Sequence, residues 1–384
     1  MVVGVISTTI IIVAVIMPII SVYEPQSELS ESQWYYDDYK ILNEVDSVSG
    51  SLELILVGDV EYVHAKDVGN GVINYQNGTT ENIIVEKAQL DLIYMYGQSN
   101  AAYRNAVPSE ADPIPRLGTA YYYGLEDRSG PTAAENNTGM DLSECDFWTM
   151  LDENGESRIG DKAPSFSAEY TKITGHKIYW VCGAVGNKGI SQFQPPNAFM
   201  WTYGKSVLEN AVELVDTDKF NLEVTYYLWI QGEANATSPI DQYKSLFLNM
   251  HNAMINGDMG YKFKGCFISI VRDQNGENSA IAQRELCKEY STIHLGADIA
   301  KTFTVQNGLM GSDDLHYSQA GNNLIGETMG TNVGDYVRGP TNDLSNQFYY
   351  DLFSLIPLFC IIGLIVYICI SVGISDSGRI KFEN

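Results

Sequence analysis

The sequence predicts an α/β domain with a parallel sheet covered on both faces, and three observations carry that expectation. Apolar runs of strand character occur at 90–96, 177–182, 224–230 and 266–271. Amphipathic helical stretches at 165–172, 200–215 and 240–254 alternate with them, the repetition that produces a parallel sheet. Three polar turns are read at the carboxyl ends of strands, where open α/β sheets build their sites.

Taken in order, the chain begins with an uncharged apolar run at 2–22, about long enough to span a bilayer core. It lacks a basic n-region and ends in a poor small-x-small cleavage site, so an uncleaved anchor is favoured over a signal peptide. Residues 23–46 are polar and acidic and read as a linker. Short β-type runs at 52–57, 61–63, 71–75 and 82–85, with turns at Gly58-Asp59, Gly69-Asn70-Gly71 and Asn77-Gly78, predict a small antiparallel module over 47–88. The α/β domain follows over 89–342, a length that suits one domain. Within it, 101–162 is rich in Gly, Pro, Asp and Tyr and reads as a long loop region around the mouth of a site. A second apolar run at 352–374, preceded by Tyr349 and Tyr350, reads as a transmembrane helix. Arg379 and Lys381 assign the tail at 375–384 to the cytoplasm and the middle of the chain to the outside.

A net charge of −25 excludes a nucleic-acid partner, because no basic stripe exists to neutralise phosphates. It also mildly favours neutral over acidic glycans, unless local charge at a cleft overrides it. Four of the six cysteines (Cys145, Cys182, Cys266, Cys287) lie in the middle region, and nothing commits them to bridges. The sequons at Asn77, Asn136 and Asn235 are common by chance, and a glycan on Asn235 would crowd the cleft. His64, His176, His251 and His294 have no metal-ligand spacing, and no phosphate loop or dinucleotide fingerprint occurs. Neither a metal nor an organic cofactor is expected.

The chemistry is concentrated in three places. Gly97-Gln98-Ser99-Asn100 ends the first strand and puts a hydroxyl where a nucleophile is exposed. Trp229-Ile230-Gln231-Gly232-Glu233 closes the third strand. Asp313-Asp314-Leu315-His316 places a carboxylate three residues before a histidine. Each piece alone reads as an ordinary turn; together they form a nucleophile, a base and an orienting acid.

These motifs resemble the SGNH hydrolases, and within them the sialate O-acetylesterase and acetylxylan esterase branch. The resemblance runs over roughly 90–333, with Tyr317, Ser318 and Gly321 following the histidine and 163–171 and 282–285 also fitting. It implies a flavodoxin-like three-layer α/β/α fold and a serine esterase of O-acetylated carbohydrates. Ser99 would be the nucleophile, His316 the base and Asp313 its partner. The oxyanion donors would be the N–H groups of Ser99 and of Gly186 or Asn187, together with the Gln231 amide. Gln98, Asn100 and Glu233 would support them, Glu233 through Gln231 or the histidine. One departure stands out: where the branch has Gly-Gly-Thr-x-Ile, this chain has Gly186-Asn187-Lys188-Gly189-Ile190. Asn tolerates left-handed backbone, so the N–H donor survives the change. Lys188 reads either as a solvated loop lysine or as a group that favours an anionic substrate. The competing function is a surface glycan-binding protein or adhesin that keeps the fold without efficient catalysis.

Overall fold

The computed structural model describes residues 33–102, 105–126 and 139–339. The two apolar runs, the tail and the Asn136 sequon lie outside the described residues. Among the described residues no helix is long and apolar enough to cross a membrane.

Seven short strands come first: β1 (Trp34–Tyr35), β2 (Tyr39–Lys40), β3 (Val45–Gly50), β4 (Leu52–Val57), β5 (Val60–Ala65), β6 (Gly69–Tyr75) and β7 (Thr80–Glu86). They form a four-stranded sheet in the order β1-β7-β6-β3 and a three-stranded sheet in the order β2-β5-β4. Alternate residues of these strands (Leu52, Val63, Ala65, Ile73, Ile83, Val85) enclose one small core. The pairing is antiparallel except for β1, which runs parallel to β7. The expected linker therefore ends earlier than 46. Trp34 is only 2% exposed and fills the module core, so 33–46 is part of the module.

The acidic residues that made this stretch look like a solvated linker instead tie the module to the larger domain. The Asp37 carboxylate takes the Tyr121 hydroxyl as a hydrogen-bond donor and stands 2.7 Å from His64 Nε2. Lys177 Nζ donates to the Asp37 carbonyl at 3.2 Å and to Asp38 Oδ1 at 2.9 Å. His64 Nδ1 lies 2.9 Å from Glu53 Oε1, and its ring stacks on Tyr39 at 4.2 Å. Lys66, 3.8 Å from Glu53, is the nearby cation on this side. Burial by itself would lower the pKa of His64, but its bonds to Asp37 and Glu53 outweigh it and hold the pKa above the ordinary value. A raised folded pKa contributes stability that is complete below the unfolded value, about 6.5, and is lost as pH rises through the folded one. His64→Gln is therefore expected to remove the part of the stability that declines between neutral and mildly alkaline pH. Urea midpoints at pH 5.5 and 8.5 test this; an unchanged slope in the variant refutes it.

The second unit is a seven-stranded sheet: β8 (Ala88–Gly97), β9 (Ala120–Gly124), β10 (Asp146–Thr149), β11 (Lys177–Cys182), β12 (Phe220–Ile230), β13 (Gly265–Ser269) and β14 (Ile293–Ala297). Its order is β10-β9-β11-β8-β12-β13-β14, parallel except for β10, which is antiparallel to β9 at the edge. Among the described residues five helices cover it: α1 (Ala163–Thr174), α2 (Phe199–Glu213), α3 (Ile240–Asn256), α4 (Asp273–Glu289) and α5 (Gln319–Arg338). The two-residue period of β8 assigns them to faces. Leu92, Tyr94 and Tyr96 pack with Val207 and Leu208 of α2, Phe247 of α3 and Leu286 of α4. Ile93 and Met95 face Phe166 and Tyr170 of α1 and Ile325 and Met329 of α5. The result is three layers with a core on each side of the sheet.

Two expectations need correction. The stretch at 101–162 is not loop throughout, because β9 and β10 lie in it; Tyr121 and Tyr123 enter one core and Tyr122 the other. The helix α5 was not foreseen, since glycines lie beside the apolar residues Ile325, Met329 and Val333 on its buried face. A Cβ at Gly326 would sit 2.4 Å from the Lys162 carbonyl oxygen, and one at Gly330 2.4 Å from that of Phe166. Close backbone approach to α1 thus takes part of the face that a fuller apolar stripe would occupy. Cys145, Cys182, Cys266 and Cys287 form no disulfide.

Candidate active site

The site lies at the carboxyl ends of the central strands β8, β11 and β12. Gly97 ends β8 with φ +146°, and a Cβ there would lie 1.9 Å from the Ile230 carbonyl oxygen at the end of β12. Only glycine fits, and the chain turns sharply so that half-buried Ser99 emerges from an otherwise buried strand. Gly97→Ala combines a clash with forbidden backbone. A loss of about 3 kcal/mol of stability or more is expected, read as a lowered urea midpoint.

The loop after β13 and β14 brings the other two groups to Ser99. His316 Nε2 stands 2.9 Å from Ser99 Oγ, and His316 Nδ1 stands 2.6 Å from Asp313 Oδ2. The second Asp313 oxygen accepts the N–H of Leu315 at 3.1 Å and of His316 at 3.0 Å, so one carboxylate shapes the loop and orients the ring. Partial burial raises the pKa of Asp313, but the bonds from His316 and from these two N–H groups prevail and hold it at about 2. Asp313 is therefore ionised over any ordinary assay range. Its neighbour Asp314 points elsewhere, to Arg272 Nη1 at 2.7 Å. Arg272, only 4% exposed, thus fastens the histidine loop to the end of β13. Sequence reasoning did not identify Arg272; its one signal was a lone cation directly after a strand.

Asn100 joins the nucleophile turn to the histidine loop. Its Nδ2 donates to Leu315 O at 3.1 Å and to Glu233 Oε1 at 2.6 Å, and its Oδ1 accepts from Tyr317 N at 3.1 Å. The residues on both sides of His316 are thereby held by the residue after Ser99. Glu233 supports this clamp through Asn100, and not through Gln231 or the histidine as expected. The Glu233 residue is half-buried, but its carboxyl end lies inside, and among the described residues Oε2 has no hydrogen-bond partner. Burial raises the Glu233 pKa above the carboxylate norm, against the opposing bond from Asn100 and the nearby His316.

The role expected of Gln231 is corrected. Its side chain is fully buried, and Nε2 lies within donor range of Gln98 Oε1 (3.2 Å), Lys188 O (3.1 Å) and Asn235 Oδ1 (2.7 Å). A primary amide has two N–H groups, so three internal acceptors leave none for a substrate. Gln231 instead fastens the nucleophile turn to the loop at 186–190. Tyr243 and Gln283 lock it from below, with the Tyr243 hydroxyl 2.9 Å from Oε1 and Gln283 Nε2 2.5 Å from the Gln231 carbonyl. Asn235 continues the brace: its Oδ1 also accepts Ile190 N at 2.8 Å, and its Nδ2 donates to Ser238 at 3.0 Å.

Gly186 and Asn187 follow the end of β11, where Val185 N reaches the Gly97 carbonyl at 3.3 Å and ties this loop to the nucleophile turn. Asn187 adopts φ +56°, the left-handed conformation that asparagine tolerates. Among the described residues no main-chain hydrogen bond occupies the N–H of Ser99, Gly186 or Asn187. No group of metal-ligating residues occurs among the described residues. His176 Nδ1 lies 2.7 Å from the buried Asp91.

The sequence matches the family described as carbohydrate esterase, sialic acid-specific acetylesterase, over residues 89–334. The chain belongs to this family. It is a carboxylic ester hydrolase of the carbohydrate acetylesterase type, and the matched region is the seven-stranded domain with its five helices. No curated protein matches the sequence significantly. Among solved structures, a protein from Arabidopsis thaliana is 14% identical, with a TM-score of 0.42, covering 64% of this chain and 97% of that one. NanS is 12% identical, with a TM-score of 0.44 and coverage of 65% and 98%. A carbohydrate acetylesterase from Xanthomonas citri is 14% identical, with a TM-score of 0.38 and coverage of 79% and 71%. Likenesses this distant leave the family match as the deciding finding.

Proposed function

We propose that this acetylesterase removes acetyl groups from sugars by serine catalysis, with Ser99 as nucleophile, His316 as general base and Asp313 as its orienting partner. The observation that carries the reading is the unbroken relay Ser99 Oγ–His316–Asp313, at 2.9 and 2.6 Å. Ser99 attacks the acetyl carbonyl as Nε2 takes its proton, and the imidazolium then gives that proton to the departing sugar hydroxyl. Water repeats the sequence on the acetyl-enzyme and releases acetate. The N–H of Ser99 and an N–H of the loop at Gly186 or Asn187 would receive the oxyanion. Asp313, ionised at any working pH, keeps the proton on Nδ1 and stabilises the imidazolium.

The apolar runs at 2–22 and 352–374 support a protein held at a membrane, and the charges after the second run support an outward-facing esterase. O-acetylated sugars such as sialic acids or xylan are the substrates in this reading. The test is acetate release by the full chain in mild detergent, from an aryl acetate and a panel of O-acetylated sugars. Release from the sugars supports the proposal. A folded protein that releases acetate from none of them refutes it and leaves the glycan-binding alternative.

A further inference from the structure

We infer that the face at the amino ends of the parallel strands is the one turned toward the bilayer. The site then opens away from the membrane and draws on glycans that stand clear of the lipid, not on glycolipid headgroups in its own leaflet. The inference rests on the two readings above, a membrane-held chain and an acetylesterase, and adds the direction in which the site faces.

Where the chain enters is the first argument. Ser99 and the loop at 186–190 stand at the carboxyl ends of β8 and β11, which run parallel with β12. The described chain begins at the opposite end. Tyr36 N donates to the Glu86 carbonyl at 2.8 Å, two residues before β8 opens. Its ring meets Phe220, the first residue of β12, edge-on at 5.0 Å. The small module therefore sits below the amino ends of the central strands, and residues 23–32 lead from it to the apolar run at 2–22.

Where the chain leaves is the second. The helix α5 starts three residues after His316 and carries 20 residues, a rise of about 30 Å. It runs in the same direction as α1, with Gly326 against Lys162 and Gly334 against Ile173. That helix ends at Thr174, just before β11 opens at Lys177. Near the far end of α5 the Tyr336 ring stands 4.2 Å from His294, the second residue of β14. The chain thus leaves on the side where it enters, and residues 340–351 lead to the apolar run at 352–374.

Reach is the third. The strand β8 spans 10 residues, about 33 Å, so the nucleophile turn stands roughly that far above the amino-end face. Fully extended, residues 23–32 reach at most about 36 Å and residues 340–351 about 43 Å. A molecule with its site against the lipid would need both segments drawn nearly to full length along its sides, with the loss of most of their conformational freedom. Two attachments on one face also keep the domain from turning over about either alone. A short glycolipid headgroup in the same leaflet does not reach the site in this orientation, whereas a free or polymeric glycan does.

The test places the full-length chain in phosphatidylcholine nanodiscs, one molecule to a disc. Its substrates are an O-acetylated sialoside and an O-acetylated xyloside, each free in solution and each on a short dialkylglycerol anchor in the same disc. The anchored pair is also assayed in detergent micelles with detergent-solubilised enzyme, where no tether applies. Acetate release from the anchored sugars is expected to be at least about 100-fold slower in the disc than in micelles, because a tether that cannot span leaves almost no effective concentration. Release from the free sugars should be alike in both. Gly/Ser-rich insertions of about 40 residues in both 23–32 and 340–351 should restore most of the rate on the anchored sugars. Equal rates on the anchored sugars in discs and micelles overturn the inference, as does an insertion variant that gains nothing. A chain that does not enter the discs overturns the membrane reading, and one that releases acetate from neither free sugar overturns the esterase reading. Either result takes this inference with it.

Discussion

Ser99→Ala is expected to reduce acetate release by about a million-fold, the loss seen when a triad nucleophile is removed. Among the described residues His316 Nε2 meets only Ser99 Oγ, and the Asn100 clamp fixes the histidine loop there. The variant should keep its fold, because Ser99 is half exposed and Gly97 and Asn100, which define the turn, are untouched. The measurement is acetate release by wild type and variant, with the urea midpoint of each as the control for folding. A folded variant that retains more than a hundredth of the wild-type rate rules out Ser99 as the nucleophile.

Asp313→Asn is expected to cost about 10,000-fold in kcat. The Asn oxygen can still accept the N–H of Leu315 and His316, so the loop keeps its shape. The amide nitrogen, however, would donate toward His316 Nδ1, forcing the proton onto Nε2. In that tautomer the ring cannot accept the Ser99 proton. The loss is therefore chemical and should appear in kcat with little change in the urea midpoint. Asp314→Asn provides the contrast. Its carboxylate pairs with Arg272 and not with the histidine, so the expected loss is within about 10-fold, the scale of a partly exposed ion pair. Equal losses at the two positions would refute the assignment of Asp313.

Much of this was legible in the sequence, for identifiable reasons. Strands such as 90–96 and 177–182 are buried on both faces, so their apolar runs are continuous and stand out. Ser99, Asp313 and His316 stood out because their motifs are short-range and resemble those of the family, whose spacing selects Asp313 over Asp314. Other elements left no such trace. The helix α5 buries Ile325, Met329 and Val333, but Gly326, Gly330 and Gly334 lie beside them and thin the apolar stripe. The strands β9 and β10 sit among turn residues that mask them. Trp34 counted for little beside the acids around it, yet it closes the module core.

The roles of the polar neighbours depended on where the chain folds back on itself. Nothing local to Gln231 distinguishes an oxyanion donor from a brace; Gln98, Lys188 and Asn235, distant from one another in sequence, decide it by consuming its N–H groups. Glu233 likewise finds its partner 133 positions away in Asn100. Sequence by itself determined the layered α/β architecture and the family, and it marked the three motifs that hold Ser99, Asp313 and His316, because each rests on local pattern or on residue chemistry. Only the tertiary structure decided which polar groups face the substrate and which are spent on one another. Hydrogen bonding inside a protein is a competition among buried donors and acceptors, and its outcome is set by proximity in space.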